Sequence, residues 1–141
     1  MANTAFDKGK ADFLTYLTGQ TLKAMLMTTA YTPTVSDNFV SAIVANELSV
    51  SGYTRQALTG MAVTQDDVNS RAYFTANNNV WAALATGQTI GWVVLYIDSG
   101  SDATSKLYGA YQTTATPTNG GSFTIQWASG ASVPGGVIQL S

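Results

Sequence analysis

From Gly52 onward, short apolar or alternating runs are separated by clusters of Asp, Asn, Ser and Gly. This pattern predicts strands over residues 52–59, 61–65, 71–76, 89–98, 105–114, 121–129 and 136–140. The intervening turns fall at 66–70, 77–79, 98–102 and 117–121. Alternation is strict in Arg71-Ala72-Tyr73-Phe74-Thr75 and in Phe123-Thr124-Ile125-Gln126-Trp127. In the second, Phe123, Ile125 and Trp127 share the inward face while Thr124 and Gln126 face out. The run 92–97 is apolar almost throughout, which predicts a central strand covered on both faces. Trp92, Val94, Tyr96, Phe123, Ile125 and Trp127 are the expected core. Strands at this spacing predict a mainly β fold, an antiparallel β-sandwich or barrel-like domain.

The first half of the chain has a different rhythm. Phe13, Leu14 and Leu17 fall on one helical face with Tyr16 at its edge, which predicts an N-terminal helix near residues 10–17. Gly19 is a stop signal just beyond it. In 21–28, Leu22, Ala24 and Leu26 alternate with Met25 and Met27, predicting a strand buried on both sides. Pro33 biases Thr32 toward extended backbone. Ser36 or Asp37 could cap a short second helix across 39–48, with Phe39, Ile43 and Val44 on one face. Residues 1–10 have few apolar groups and precede the helix. They are expected to act as an arm anchored by Phe6, with 11–141 as a single β-rich domain.

Composition narrows the function. Charged residues are 10% of the chain, against about 25% in ordinary domains. The formal net charge is −2, and there is no cysteine or histidine. Disulfides, thiolate metal sites, thiol nucleophiles and histidine acid–base catalysis are therefore excluded. The six basic residues are scattered, so no phosphate-binding stripe forms and no nucleic-acid partner is expected. No apolar run approaches the roughly 20 residues that span a bilayer, so no membrane partner is expected either. No signal-like stretch follows the N-terminal residues, and the expectation is a soluble domain made in a cytoplasm. Small neutral polar residues replace the missing charge. They suit Thr-rich strands first, and after that a surface packed against other proteins.

Candidate chemistry is thin. Asp98-Ser99-Gly100-Ser101-Asp102 could offer carboxylate and backbone oxygens to calcium, but lacks the EF-hand spacing and also reads as an ordinary Asx turn. Asp66 and Asp67 are adjacent carboxylates in a polar turn. Lys23 has no Ser-x-x-Lys partner pattern, and 87–91 lacks the lysine of a phosphate loop. Three tryptophans and seven tyrosines could stack a sugar, although aromatic residues on strands more commonly serve core and interface. No catalytic constellation or cofactor site emerges, and the expectation is a non-enzyme.

Five stretches, taken in order, carry a resemblance. Lys23 to Pro33 follows K-x-x-L-x-T-x-x-Y-x-P, and Ala45 to Arg55 follows A-N-E-x-x-x-x-G-Y-T-R. Val80-Trp81-Ala82-Ala83-Leu84, the strand from Trp92 to Gly100, and Phe123-Thr124-Ile125-Gln126-Trp127 complete the series. Together they resemble the decoration or cement (head auxiliary) proteins of tailed bacteriophages, over nearly the whole chain from Asp12. The chain departs from that pattern at 38–43 and 131–137. The resemblance implies a compact β domain, commonly a homotrimer, on the outside of the capsid. The major capsid protein and other copies of the chain would be its partners, and the virion surface its location after synthesis in the host cytoplasm. Interface residues expected on this basis are Phe6, Lys8, Lys10, Tyr31, Pro33 and Phe39. A tail, baseplate or fibre-base component and a carbohydrate-binding module are the alternatives.

Overall fold

The computed structural model describes residues 4–127 and 137–140. Among them are one helix, α1 (Asp7–Thr18), and nine strands. These are β1 (Leu22–Thr28), β2 (Gln56–Ala57), β3 (Ala62–Asp66), β4 (Arg71–Thr75), β5 (Asn79–Trp81), β6 (Thr89–Ile97), β7 (Lys106–Pro117), β8 (Phe123–Ile125) and β9 (Ile138–Leu140). All pairings are antiparallel and build three sheets, of order β2-β1-β6-β7, β3-β4-β9 and β5-β8. The fold is mainly β with an N-terminal helix, as the alternation predicts. The chain divides into two compact units: Met1–Gln20, Leu58–Asn78 and Gln126–Ser141 form one, Thr21–Ala57 and Asn79–Ile125 the other.

The second unit is built on the four-stranded sheet. β1 lies between β2 and β6 and buries both faces, with Leu22, Ala24, Met25, Leu26 and Met27 all essentially inaccessible. Met25, Met27, Val94 and Tyr96 on one face pack with Tyr31, Val40 and Ile43, which the segment after β1 folds back over the sheet. Leu22, Ala24, Leu26, Val93 and Leu95 are buried from the opposite face. Each fully buried aliphatic side chain of this kind contributes about 1.5–3 kcal/mol.

The returning segment is not the short helix predicted for 39–48. It forms two separate 3-10 turns, Val40–Ala42 and Val44–Asn46. The reason lies in the backbone donors. Val40 N–H bonds Ser105 O at 3.0 Å and Ser41 N–H bonds Asp102 O at 3.0 Å, while Leu107 N–H reaches Asn38 O at 3.0 Å. Residues tied as a bridge to β7 cannot also propagate helical bonds. Ser36 and Asp37 therefore precede a bridge and cap nothing, and Phe39 and Val44 stay exposed while Val40 and Ile43 are buried.

Two glycines are sterically required here. Gly52 has φ +88°, and a Cβ on it would lie 1.9 Å from Ala83 O. Gly91 sits where the β6–β7 register shifts, and a Cβ there would meet Thr29 Cα at 2.8 Å. The strand predicted over 52–59 shortens to Gln56–Ala57. The turn predicted at 77–79 instead begins β5, because Asn79 Nδ2 donates to Ala57 O at 3.1 Å and Gln56 Oε1 at 3.2 Å. Trp92 and Phe123 are half-buried where full burial was expected; Val94, Tyr96, Ile125 and Trp127 are buried.

In the first unit, α1 lies against β3 and β4. The helix starts earlier than the apolar stripe suggests, and its buried face is Lys10, Ala11, Leu14 and Leu17. Of the predicted face, Leu14 and Leu17 are buried, while Phe13 and the edge residue Tyr16 point to solvent at 50% and 62% exposure. Lys10 takes the inner position because its stem buries while its ammonium bonds Ser70 O at 2.7 Å and Asp7 Oδ1 at 3.0 Å. Ala72 and Phe74 fill the alternate inward sites of β4. The β3–β4 turn is closed by Asp66, which accepts from Asn69 N–H at 3.2 Å and Arg71 Nε at 2.7 Å.

Candidate interaction surface

Residues from four separated stretches converge in the second unit on Arg55. Its guanidinium donates to Glu47 through Nε (2.7 Å) and Nη2 (2.6 Å), and to Asp102 through Nη1 (2.6 Å) and Nη2 (3.0 Å). Its Cζ lies 5.5 Å from the Tyr96 ring centroid. Tyr53 donates its hydroxyl to Glu47 at 2.6 Å and accepts Leu26 N–H at 3.1 Å. Lys23 pairs with Asp98 at 2.6 Å.

The electrostatics follow from these bonds. The hydrogen bond from Arg55 holds the Asp102 carboxyl below its usual range, and that from Lys23 does the same for Asp98. The bonds to Glu47 and Asp102 raise Arg55, and the bond to Asp98 raises Lys23. Burial, reinforced by Glu47, raises the Tyr53 hydroxyl. Each group is thus fixed in one protonation state near neutrality. The network ties β1, β6 and the Asp102 loop to the 47–55 segment.

The two turns with candidate chemistry are likewise satisfied internally. Asp98 Oδ1 accepts Gly100 N–H at 3.0 Å, Ser105 Oγ donates to Ser101 O at 2.8 Å, and Ser99 N–H bonds Ser105 Oγ at 3.1 Å. This is an Asx turn braced by hydroxyls. Asp66 is held by Arg71 and Asn69, and Asp67 accepts Gln65 Nε2 at 2.6 Å. Among the described residues no three His, Cys, Asp or Glu side chains are grouped to hold a metal, and no helix is long and apolar enough to cross a membrane.

A different environment lies at the β7 margin of the same sheet. A groove of about 390 Å³ runs between the loop after β1 and the β6–β7 surface, lined in part by Tyr31, Pro33, Val35, Asp37, Val94 and Tyr108. A second depression of about 370 Å³, bounded by Asn38, Phe39, Lys106, Leu107 and Tyr108, shares its Leu107–Tyr108 wall. Tyr108 is the extra residue between the Leu95–Gly109 and Tyr96–Leu107 pairs, so a β-bulge sits at the junction of the two hollows. Val35 is fully exposed, Phe39 and Tyr108 are 39% and 38% exposed. Tyr31 stands edge-on to Trp92 at 6.0 Å, and burial with the nearby Asp37 raises its hydroxyl.

The charges here are unlike those elsewhere. Lys8, Lys10, Lys23, Arg55 and Arg71 all form ion pairs within the chain. Lys106 forms none among the described residues; of the acidic residues there, Asp37 and, in the other unit, Asp67 form none either. Lys106 is also the last charged residue of the sequence; from Leu107 to Ser141 there is none.

Of the predicted interface residues, the structure brings Tyr31, Pro33 and Phe39 together around these hollows. Phe6, Lys8 and Lys10 belong to the other unit. Phe6 is 80% exposed ahead of α1, Lys8 pairs with Asp12 on the helix surface, and Lys10 is engaged in its own unit's packing. Residues 1–3 of the expected arm, and 131–136 of the departing stretch, lie outside the described residues. Sequence reasoning did not single out Val35, Lys106 or Tyr108. The end of all charge at Lys106 was the signal available for that margin.

No family model, curated protein or solved structure matches the chain.

Proposed function

We propose that the chain is a structural virion protein that binds the outside of a tailed-phage capsid and stabilises the shell. Its partners are the major capsid protein and further copies of itself, and it has no catalytic activity of its own. One observation carries the reading. Glu47, Tyr53, Arg55 and Tyr96 in one cluster, and Lys23 and Asp98 in a separate ion pair, all from the motifs of the resemblance, are consumed in contacts within the chain. A motif set used to brace a sheet is what a scaffold needs, whereas an enzyme would keep some of those groups free toward a substrate.

The open, partly apolar β7 margin supports the same reading, because exposed valine and aromatic surface is what a protein partner covers. Densitometry of purified particles tests it. The expected result is a band whose copy number is comparable with that of the major capsid protein. A handful of copies per particle would assign the chain to the tail or baseplate instead. Absence from the particle would overturn the virion reading altogether.

A further inference from the structure

We infer that the surface carrying Val35, Asp37, Phe39, Lys106 and Tyr108 docks a second copy of this chain across a two-fold axis. The inference goes beyond the capsid reading and does not rest on it. It also differs from the homotrimer that the resemblance implies.

The argument starts from charge. Every other basic residue is neutralised inside its own chain, while Lys106 and Asp37 form no ion pair among the described residues. The two lie on one continuous surface, joined by the Leu107–Tyr108 wall and by the bridge that pairs Phe39 with Lys106. A uniformly acidic or basic partner would satisfy one of them and repel the other. A two-fold axis through Tyr108 sets Asp37 of each copy toward Lys106 of the other, and both are satisfied at once. In such an isologous interface every contact occurs twice.

Shape agrees with charge. Val35 projects fully from the rim of a groove large enough to receive an aliphatic side chain. Val35 lies on the same side of Tyr108 as Asp37, so the two-fold axis sets each copy's Val35 toward the other's second hollow of about 370 Å³, beside Phe39 and Lys106. The groove floor continues the core. Leu107 and Ala110 are only half-buried against the Met25–Val94–Tyr96 cluster, so a second copy would complete their burial. Tyr108, lifted out of the ladder by the bulge, and Phe39 supply the aromatic anchors usual in the centre of an interface. The sheet brings no opposing charge, since no Asp, Glu, Lys or Arg follows Lys106.

Sedimentation velocity of the full chain over a concentration series tests the inference. The wild type is expected to run as a reversible dimer. Asp37→Lys and Lys106→Asp should each weaken the dimer by about tenfold or more, since each places like charges opposite one another. An equimolar mixture of these two variants should recover a heterodimer, because one contributes only lysines and the other only aspartates to the contact. The double variant D37K/K106D should dimerise alone. A head-to-tail trimer cannot be rescued by the mixture, since an odd ring always retains one like-charged contact. Val35→Asp, at a fully exposed position, should weaken the dimer without altering the far-UV circular dichroism spectrum, and keeps the test valid if a charge variant folds poorly. A wild type that is monomeric or trimeric, a dimer indifferent to these substitutions, or a mixture that stays dissociated would each overturn the inference.

Discussion

The Arg55 network and the β7 margin lie in one folded unit and use similar residues to opposite ends. Around Arg55, a guanidinium, two carboxylates and a tyrosine hydroxyl are matched donor to acceptor within 2.6–3.0 Å. At the margin, a lysine and an aspartate lie on one surface without meeting, among a fully exposed valine and partly exposed aromatic rings. Internally matched charge stabilises one chain. Charge left unmatched beside apolar surface is available to a neighbour. A protein with so few charged residues makes this division easy to read, because almost every charge has an identifiable use.

The difference can be tested from either side. The largest effect should come from the network. Arg55→Ala leaves Glu47 largely buried without its cation and should lower unfolding stability by about 2–4 kcal/mol, part of the full cost being relieved by solvent at Asp102. A urea titration measures this, and Arg55→Lys should recover only part of it, since an ammonium cannot make the paired bonds.

A smaller effect comes from pH. The folded-state pKa values of Asp98 and Asp102 are depressed below the usual 3.8, so their contribution is present above about that pH. It is lost as pH falls further through their folded values, and urea midpoints should drop steeply below about pH 4. At the alkaline end Tyr53 is raised above its usual 10.0, and burial pushes Tyr111 up to about 12. Both disfavour ionisation in the folded state, so stability should decline as pH climbs beyond about 10.

The smallest effect on stability belongs to the margin. Asp37→Lys and Lys106→Asp should change the urea midpoint by an amount equivalent to no more than about 0.5 kcal/mol, measured at a concentration low enough to keep the chain monomeric. A large destabilisation there would mean that these charges already serve the single chain, and the distinction between the two regions would fail.

The sequence was most informative where burial follows a simple period. β1 is legible because both of its alternating faces are apolar, and β4 because Ala72 and Phe74 alternate with partly exposed neighbours. Reading failed where a polar side chain took a core position or a backbone bond came from far away. Lys10 displaced Phe13 from the inner face of α1 because an amphipathic stem can bury when its head finds a carbonyl and a carboxylate. The predicted helix over 39–48 gave way to turns because its first donors bond residues more than sixty positions on, which no local pattern can reveal. Of the residues around the two hollows, the sequence reading names Tyr31, Pro33 and Phe39, while Lys106 stands out only through a salt bridge it does not make among the described residues.

The interleaving of the two units bears on how the chain reaches this structure. Each unit is assembled from segments that alternate along the sequence, and the central β1–β6 pairing joins Leu22 to Ile97. Neither unit can therefore close from a local stretch alone, which places folding in the slow, non-local regime of milliseconds to seconds. During synthesis the four-stranded sheet can complete once β7 has left the ribosome. β4 must wait longer, because its partner β9 spans Ile138–Leu140. The helix and hairpin of the first unit are thus made early and finished last. Until then, one edge of β4 is exposed to whatever else can pair with it.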